Sequence, residues 1–252
     1  MKICGVIPAR YASTRLPAKP LVMLAGKPLI QWVWEAARHC GKIHEVLVAT
    51  DDERIRAVVR QFGGEAVMTP PECPSGTDRI AAALAGRNAD IVVNIQGDEP
   101  LMNPTVVDAA VDALVRDPEA SVASAMTPIK SLEDYRAPHV VKVVVSEAGH
   151  ALYFSRAPIP DRSRLSAHEA LNAPAPMKHL GLYVYRRAAL EDFVKRPPSH
   201  YEVLEKLEQL RFLEAGHRIR MIEVAEDAVG VDTPEDVPRA EALLLARIGS
   251  QP

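Results

Sequence analysis

Three short, near-continuous apolar runs limit the fold more than anything else in the chain: "ICGVI" (3–7), "EVLVAT" (45–50) and "IVVNI" (91–95). Segments with helical spacing separate them. Leu29–His39 follows Pro28, a second helix runs from Asp52 to about Phe62 and stops at Gly63-Gly64, and further helices are expected over Thr77–Ala85 and Pro104–Val115. Glu65–Met68 adds a short strand. Strands without an alternating polar face are buried on both sides, and short strands exchanged with amphipathic helices predict a parallel sheet covered by helices on both faces.

The texture changes after Ser121. "VASAMTPI", "VVKVVV", "ALYFS" and "HLGLYVYR" read as strands with little helix between them, predicting a smaller antiparallel subdomain. Residues 157 to 177 hold four prolines and no clear period, and read as loop. The end reads as helical again. Ser199-x-x-Glu202 forms a capping box ahead of one amphipathic helix with Val203, Leu207, Leu210 and Leu213 inward, closed by Gly216. Thr233-Pro234 opens the last helix, where Pro238 is expected to remove one early hydrogen bond.

A ligand of an open parallel sheet lies beyond the carboxyl ends of its strands. Polar stretches fall at three such ends: "ARYASTRLPAK" after the first strand, "TDD" after the second and "QGDEP" after "IVVNI". The first is unusual. Met1 to Trp34 contains five Lys or Arg and no Asp or Glu, and Arg10, Arg15 and Lys19 lie on a stretch stiffened by Pro17 and Pro20. Guanidinium forks and an ammonium grip phosphate oxygens. The net charge is −3, so this positive patch is local and suits a small polyphosphate better than nucleic acid. Neither the P-loop pattern nor the dinucleotide fingerprint is present, which argues against a nicotinamide dehydrogenase and predicts phosphate binding by side-chain cations. Asp98 reads either as a turn former or as a carboxylate for Mg²⁺, which takes one or two carboxylates with phosphate oxygens and water. Asp232 in "GVDTPED" reads either as a second such acid or as a cap of the last helix.

His179 and Tyr183 are four apart and share a face if on a strand. Glu208, Gln209 and Arg156 read as packing or hydrogen-bonding residues, although Arg156 follows a strand and could grip a carboxylate. The eight histidines show no zinc or triad spacing. Three cysteines without C-x-x-C spacing predict buried or free thiols in a reducing cytosol, and no apolar run has the length of a signal peptide core or a membrane helix.

Nine stretches in order complete the reading: "IPARYASTRLPAKPL", "TDD", "SGTDR", "NIQGDEP", "VVKVV", "ALYFSRAPIP", "HLGLYVYR", "LEKLEQLR" and "GVDTPED". Together they resemble the successive motifs of the 3-deoxy-manno-octulosonate cytidylyltransferases, from residue 7 to 236. The resemblance implies a nucleotidyltransferase-type, Rossmann-like three-layer α/β/α fold over residues 1–252. Residues 1–120 would be mainly CTP-binding, 121–230 mainly sugar-binding and dimer-forming, and 233–248 a closing helix. It further implies a cytoplasmic homodimer that makes CMP-Kdo and pyrophosphate from CTP and 3-deoxy-D-manno-octulosonate (Kdo) for lipopolysaccharide, with no nucleic acid or membrane partner. Carried onto matching positions, Arg10, Arg15 and Lys19 hold the CTP phosphates. Ser75, Arg79 and Gln96 lie on the nucleotide side, and Asp98 and Asp232 hold Mg²⁺. Gln96, Arg156, His179, Tyr183, Glu208 and Gln209 line the sugar pocket, and Arg15, Lys19, Asp98 and Asp232 carry the chemistry. His139 departs from the family's Asn before the "VVKVV" strand. The alternatives are an enzyme for amino-Kdo or sialic acid, or a sugar-nucleotide sensor without turnover.

Overall fold

The computed structural model describes residues 1–13, 15–225 and 229–249, so Thr14 of the basic loop lies outside the described residues. In chain order the elements are β1 (Ile3–Ala9), a 3₁₀ turn at Lys19–Leu21, β2 (Met23–Leu24), β3 (Lys27–Pro28), α1 (Leu29–Arg38), β4 (Glu45–Thr50), α2 (Glu53–Gln61) and β5 (Glu65–Met68). They continue as α3 (Gly76–Ala83), β6 (Ile91–Asn94), α4 (Pro104–Arg116), β7 (Ala120–Pro128), α5 (Leu132–Arg136), β8 (Lys142–Val145), β9 (Ala151–Ser155) and α6 (Ala167–Asn172). The last are β10 (Met177–Arg186), α7 (Arg187–Lys195), α8 (His200–Glu205), α9 (Gln209–Glu214), β11 (Arg218–Glu223) and α10 (Asp236–Gly249).

The chain divides into two compact units. Unit 1 comprises Met1–Asp108, Val184–Val194 and Ala228–Pro252. Its strands run β6-β1-β4-β5, with β1 parallel to both β4 and β6 and β4 parallel to β5. Register brings Ala9 opposite Thr50 and Val6 opposite Asn94, so the loops after β1, β4 and β6 leave the same edge. Val6, Ile7, Leu47, Val48, Val92 and Val93 are fully buried, as continuous apolar strands require. The helices cover them with one face each: Leu29, Ile30, Val33 and Ala37 of α1, and Ile55 and Val59 of α2, are buried. Asp52 caps α2 by accepting from the Arg54 amide at 2.9 Å. Cys4 and Cys40 are buried, and burial pushes their thiols up to about 11 and about 12.

Unit 2 comprises Ala109–Tyr183 and Lys195–Asp227. Here β7 lies between β10 and β11 and pairs in parallel with β11, while β8 is antiparallel to both β9 and β10. The expected antiparallel part is thus the β9-β8-β10 portion.

Four local expectations change. The single helix expected after Ser199 is two short helices, α8 and α9, divided at Lys206 with φ 55°. Residues nine apart on a continuous helix face opposite ways. The break instead lets the buried Arg211 guanidinium donate to both oxygens of Glu202, at 2.7 and 2.5 Å. Val203 is consequently exposed, while Leu207 and Leu210 are buried and Leu213 half-buried. The loop expected over 157–177 contains α6, opened by a capping box of Ser166 and Glu169. Strand β11 lies between Gly216 and Thr233, where no element was assigned; "RIRMIE" alternates, burying Ile219 and Met221. Pro238 is the third residue of α10, in the first turn, where an amide has no intrahelical acceptor, so it removes no bond. Among the described residues no helix is long and apolar enough to cross a membrane.

Candidate active site

In unit 1 three loops close around Pro8. A Cβ on Gly97 would meet the Pro8 carbonyl oxygen at 2.8 Å, and one on Gly76 the Pro8 ring at 3.6 Å. The "QGD" turn after β6 therefore approaches the start of the basic loop as only glycine permits. The Val231 amide donates to the Asp98 carbonyl at 2.8 Å, tying the second acidic loop to the first.

These backbone ties bring four of the anticipated residues together. The Lys19 ammonium donates to Asp98 Oδ2 at 2.7 Å and Asp232 Oδ1 at 3.0 Å, and Arg15 reaches the same Asp232 oxygen at 3.1 Å. Burial of Lys19 opposes its charge, but the two carboxylates together outweigh that and hold its pKa above the ordinary lysine value. Ala18, with φ 54°, turns the chain so that Lys19 begins the 3₁₀ turn. Arg10 is exposed, with no ion pair or hydrogen bond among the described residues.

Asp98 and Asp232 each aim an oxygen at one cationic centre. Two carboxylates converging on a cation are a donor set that a hard divalent ion can share with further oxygens and water, so these residues fit Mg²⁺. Among the described residues no group of three or more His, Cys, Asp or Glu is arranged to hold a metal by itself.

Sequence reasoning missed Asp236. Its Oδ2 accepts from the Asp232 amide at 2.9 Å, the Thr233 amide at 2.8 Å and the Thr233 hydroxyl at 3.1 Å. Those bonds hold its carboxyl below the usual range, the Asp232 amide contributing most. Asp236 thus fixes the turn from which Asp232 projects, and the side chain of Asp232 is left for Lys19 and Arg15. The signal was present in "DTPED", an acid placed to gather the amides of the preceding turn.

Ser75 and Arg79, anticipated on the nucleotide side, act as braces. Ser75 caps α3, accepting from the Asp78 amide at 3.1 Å. Arg79 is buried, its guanidinium donating to Thr69 Oγ1 at 2.7 Å and Asp51 Oδ2 at 2.8 Å. It joins the ends of β4 and β5 rather than projecting a free fork. Gln96 is half-buried just beyond β6.

In unit 2, His179 and Tyr183 share a face of β10, ring centres 5.3 Å apart. His179 is buried against Phe154 at 4.9 Å, and burial pushes its pKa down to about 3, so the imidazole is neutral. The Ser124 hydroxyl gives its proton to the Leu182 carbonyl at 2.7 Å, leaving a lone pair for His179 Nε2 at 2.9 Å. That assigns the imidazole proton to Nε2. Arg156 donates to the carbonyls of Glu205 at 2.8 Å, Pro138 at 3.0 Å and Lys206 at 3.4 Å, closing the C-terminal end of α8. Lys142, also unanticipated, is fully buried and donates to the carbonyls of Ala137 (3.0 Å), Val140 (2.6 Å) and Arg156 (2.6 Å). The loop carrying the exposed His139 is held by these two cations. Glu208 is half-buried at the start of α9 and Gln209 is buried beside it.

A family model described as cytidylyltransferase matches residues 4–219. The 3-deoxy-manno-octulosonate cytidylyltransferase of Syntrophotalea carbinolica is 49% identical over 247 residues, 97% of this chain and 99% of that protein. That of Syntrophobacter fumaroxidans is 51% identical over 94% of each chain. Among solved structures, a CMP:2-keto-3-deoxy-manno-octonic acid synthetase complexed with CTP superposes with a TM-score of 0.92 at 43% identity, over 98% of this chain and all of that one. A 4-diphosphocytidyl-2C-methyl-D-erythritol synthase of Anaerococcus prevotii, 13% identical with a TM-score of 0.63, shares the fold alone. With matches that span nearly its whole length, the chain belongs to the 3-deoxy-manno-octulosonate cytidylyltransferase family.

Proposed function

We propose that this protein transfers the cytidylyl group from CTP to Kdo, giving CMP-Kdo and pyrophosphate. The observation that carries the reading is the convergence of Arg15, Lys19, Asp98 and Asp232 at the carboxyl edge of the parallel strands of unit 1. The anomeric hydroxyl of the sugar attacks the α-phosphorus, the bond to the β-phosphate oxygen breaks, and pyrophosphate leaves. Such transfers depend mostly on positioning and on stabilising charge.

Arg10 and Arg15 hold phosphate oxygens. Lys19 moves its ammonium from the carboxylates towards charge that grows on the leaving pyrophosphate. Asp98 and Asp232 would hold Mg²⁺, which when bound would neutralise phosphate charge and acidify the attacking hydroxyl. Asp236 keeps Asp232 oriented, and Ser75 and Arg79 brace the nucleotide side. Gln96, Arg156, His179, Tyr183, Glu208 and Gln209 make up the sugar-recognising set. Within it His179, neutral with Nε2 protonated, serves as a hydrogen-bonding and packing group rather than a base. The homodimer, the cytoplasmic location and the lipopolysaccharide role belong to the same reading. Tyr201, Val203 and Leu204, exposed on α8, support a dimer as an apolar surface open to a second copy; sedimentation equilibrium should show twice the chain mass, and a monomer at all concentrations overturns it.

The decisive experiment is pyrophosphate release with CTP, Mg²⁺ and freshly mixed Kdo, beside amino-Kdo, sialic acid and no-sugar controls. Release with Kdo is expected. Release only with another acidic sugar overturns the sugar assignment and keeps the nucleotide site; CTP binding without release from any sugar makes the protein a sensor.

A further inference from the structure

The basic loop hangs on an aromatic anchor. Between the end of β1 and Lys19, the Arg54 guanidinium of α2 sits over the Tyr11 ring, 3.4 Å from its central carbon to the ring centre. That guanidinium is held in plane by Asp52, which accepts from Nε at 2.9 Å and from an Nη at 2.6 Å. The same carboxylate caps the helix through the Arg54 amide, so the platform under Tyr11 is locked to the first turn of α2. An arginine is electrostatically misplaced in the first turn of a helix, where the dipole favours acids. Here Asp52 offsets that, and the side chain is given over to the tyrosine. On the other side, the Tyr11 carbonyl accepts from the Ala18 amide at 3.3 Å, which ties Tyr11 to the residue just before Lys19.

We infer that Tyr11, Arg54 and Asp52 form a latch that holds the phosphate-gripping loop in its binding shape, Tyr11 being a positioning residue for the triphosphate. This rests on the reading of that loop as the CTP-phosphate site. Tyr11 adjoins Arg10 in sequence and is bonded through its backbone to the residue before Lys19, so the ring sets the direction of both cations. A loop fixed in advance loses less entropy when the polyanion arrives. A stacked cation at an exposed site stabilises modestly, which sets the expected effect at about fivefold in CTP affinity.

The test is calorimetric binding of CTP and of CMP, each with Mg²⁺ and without sugar, to the wild type, Tyr11→Ala, Tyr11→Phe, Arg54→Ala and the Tyr11→Ala/Arg54→Ala double variant. Tyr11→Ala and Arg54→Ala should each weaken CTP about fivefold, the double variant no more than either alone, and Tyr11→Phe hardly at all. CMP, with one phosphate, should lose much less. Equal losses for CTP and CMP, additive losses, or no loss overturn the latch. Trypsin cleavage after Arg10 and Arg15 reads the latch without nucleotide: Tyr11→Ala should be cut faster than the wild type and Tyr11→Phe should not, and equal rates in all three also overturn it. A wild type that binds no CTP, yet shows this cleavage pattern, would sink the nucleotide reading and keep the latch.

Discussion

Lys19 is the residue on which the chemistry turns, because its ammonium touches both acids that the proposed reaction needs. Lys19→Met should lower kcat by roughly 10²–10³-fold, with a smaller loss of CTP affinity, since its charge matters most where charge grows. Steady-state rates beside calorimetric CTP binding check this; an unchanged kcat with weakened CTP would reduce Lys19 to a binding aid. Gly97 is constrained differently. Its amide turn lies so close to the Pro8 carbonyl that Gly97→Ala forces backbone apart, at a cost of about 1–3 kcal/mol in urea unfolding. At this scale the sequence was partly legible. Arg15 and Lys19 stood out because uncompensated charge after a buried strand needs a partner, whereas Asp98 and Asp232 read equally well as a turn former and a helix cap until the family resemblance singled them out. Asp236, Lys142 and Tyr11 did not, because each acts on backbone or on a stacked neighbour, and sequence spacing does not reveal which carbonyl or guanidinium will lie within reach.

Among the elements, parallel strands with covering helices were legible from continuous apolar runs and 3.6-residue spacing. The α8–α9 break was not. The capping box and the leucine spacing both favoured one helix, and the preference yielded to a long-range pair, Glu202 with Arg211. Removing one partner leaves a buried charge alone, so Glu202→Gln should cost about 3–5 kcal/mol. Replacing both Glu202 and Arg211 by Met should cost less than either single change, measured as a cycle by denaturant unfolding. If the double variant is the least stable of the three, the pair is not what divides the helices. Strand β11 escaped notice because a six-residue alternation with two arginines is too short and too charged to stand out until a parallel neighbour, β7, is known to await it.

For the whole molecule, stability should depend on pH through His179. Its folded pKa is about 3, against about 6.5 for an unfolded histidine. Between those values the unfolded chain binds the extra proton. The stabilising contribution is therefore complete above pH 6.5 and is lost as pH falls from there towards 3, by at most about 1.4 kcal/mol per pH unit. His179→Gln should flatten the fall of Tm between pH 6.5 and 5; an equally steep fall would assign the dependence elsewhere. The bridging of two carboxylates by Lys19 has a different consequence, one of sequence in time. Lys19 has three N–H donors, and two of them are committed to Asp98 and Asp232. On the proposed reading, a divalent cation that takes over the two carboxylates releases those donors for a polyphosphate in the same event, so nucleotide and divalent cation should load as a single unit, and kinetics should show compulsory co-entry rather than independent arrival.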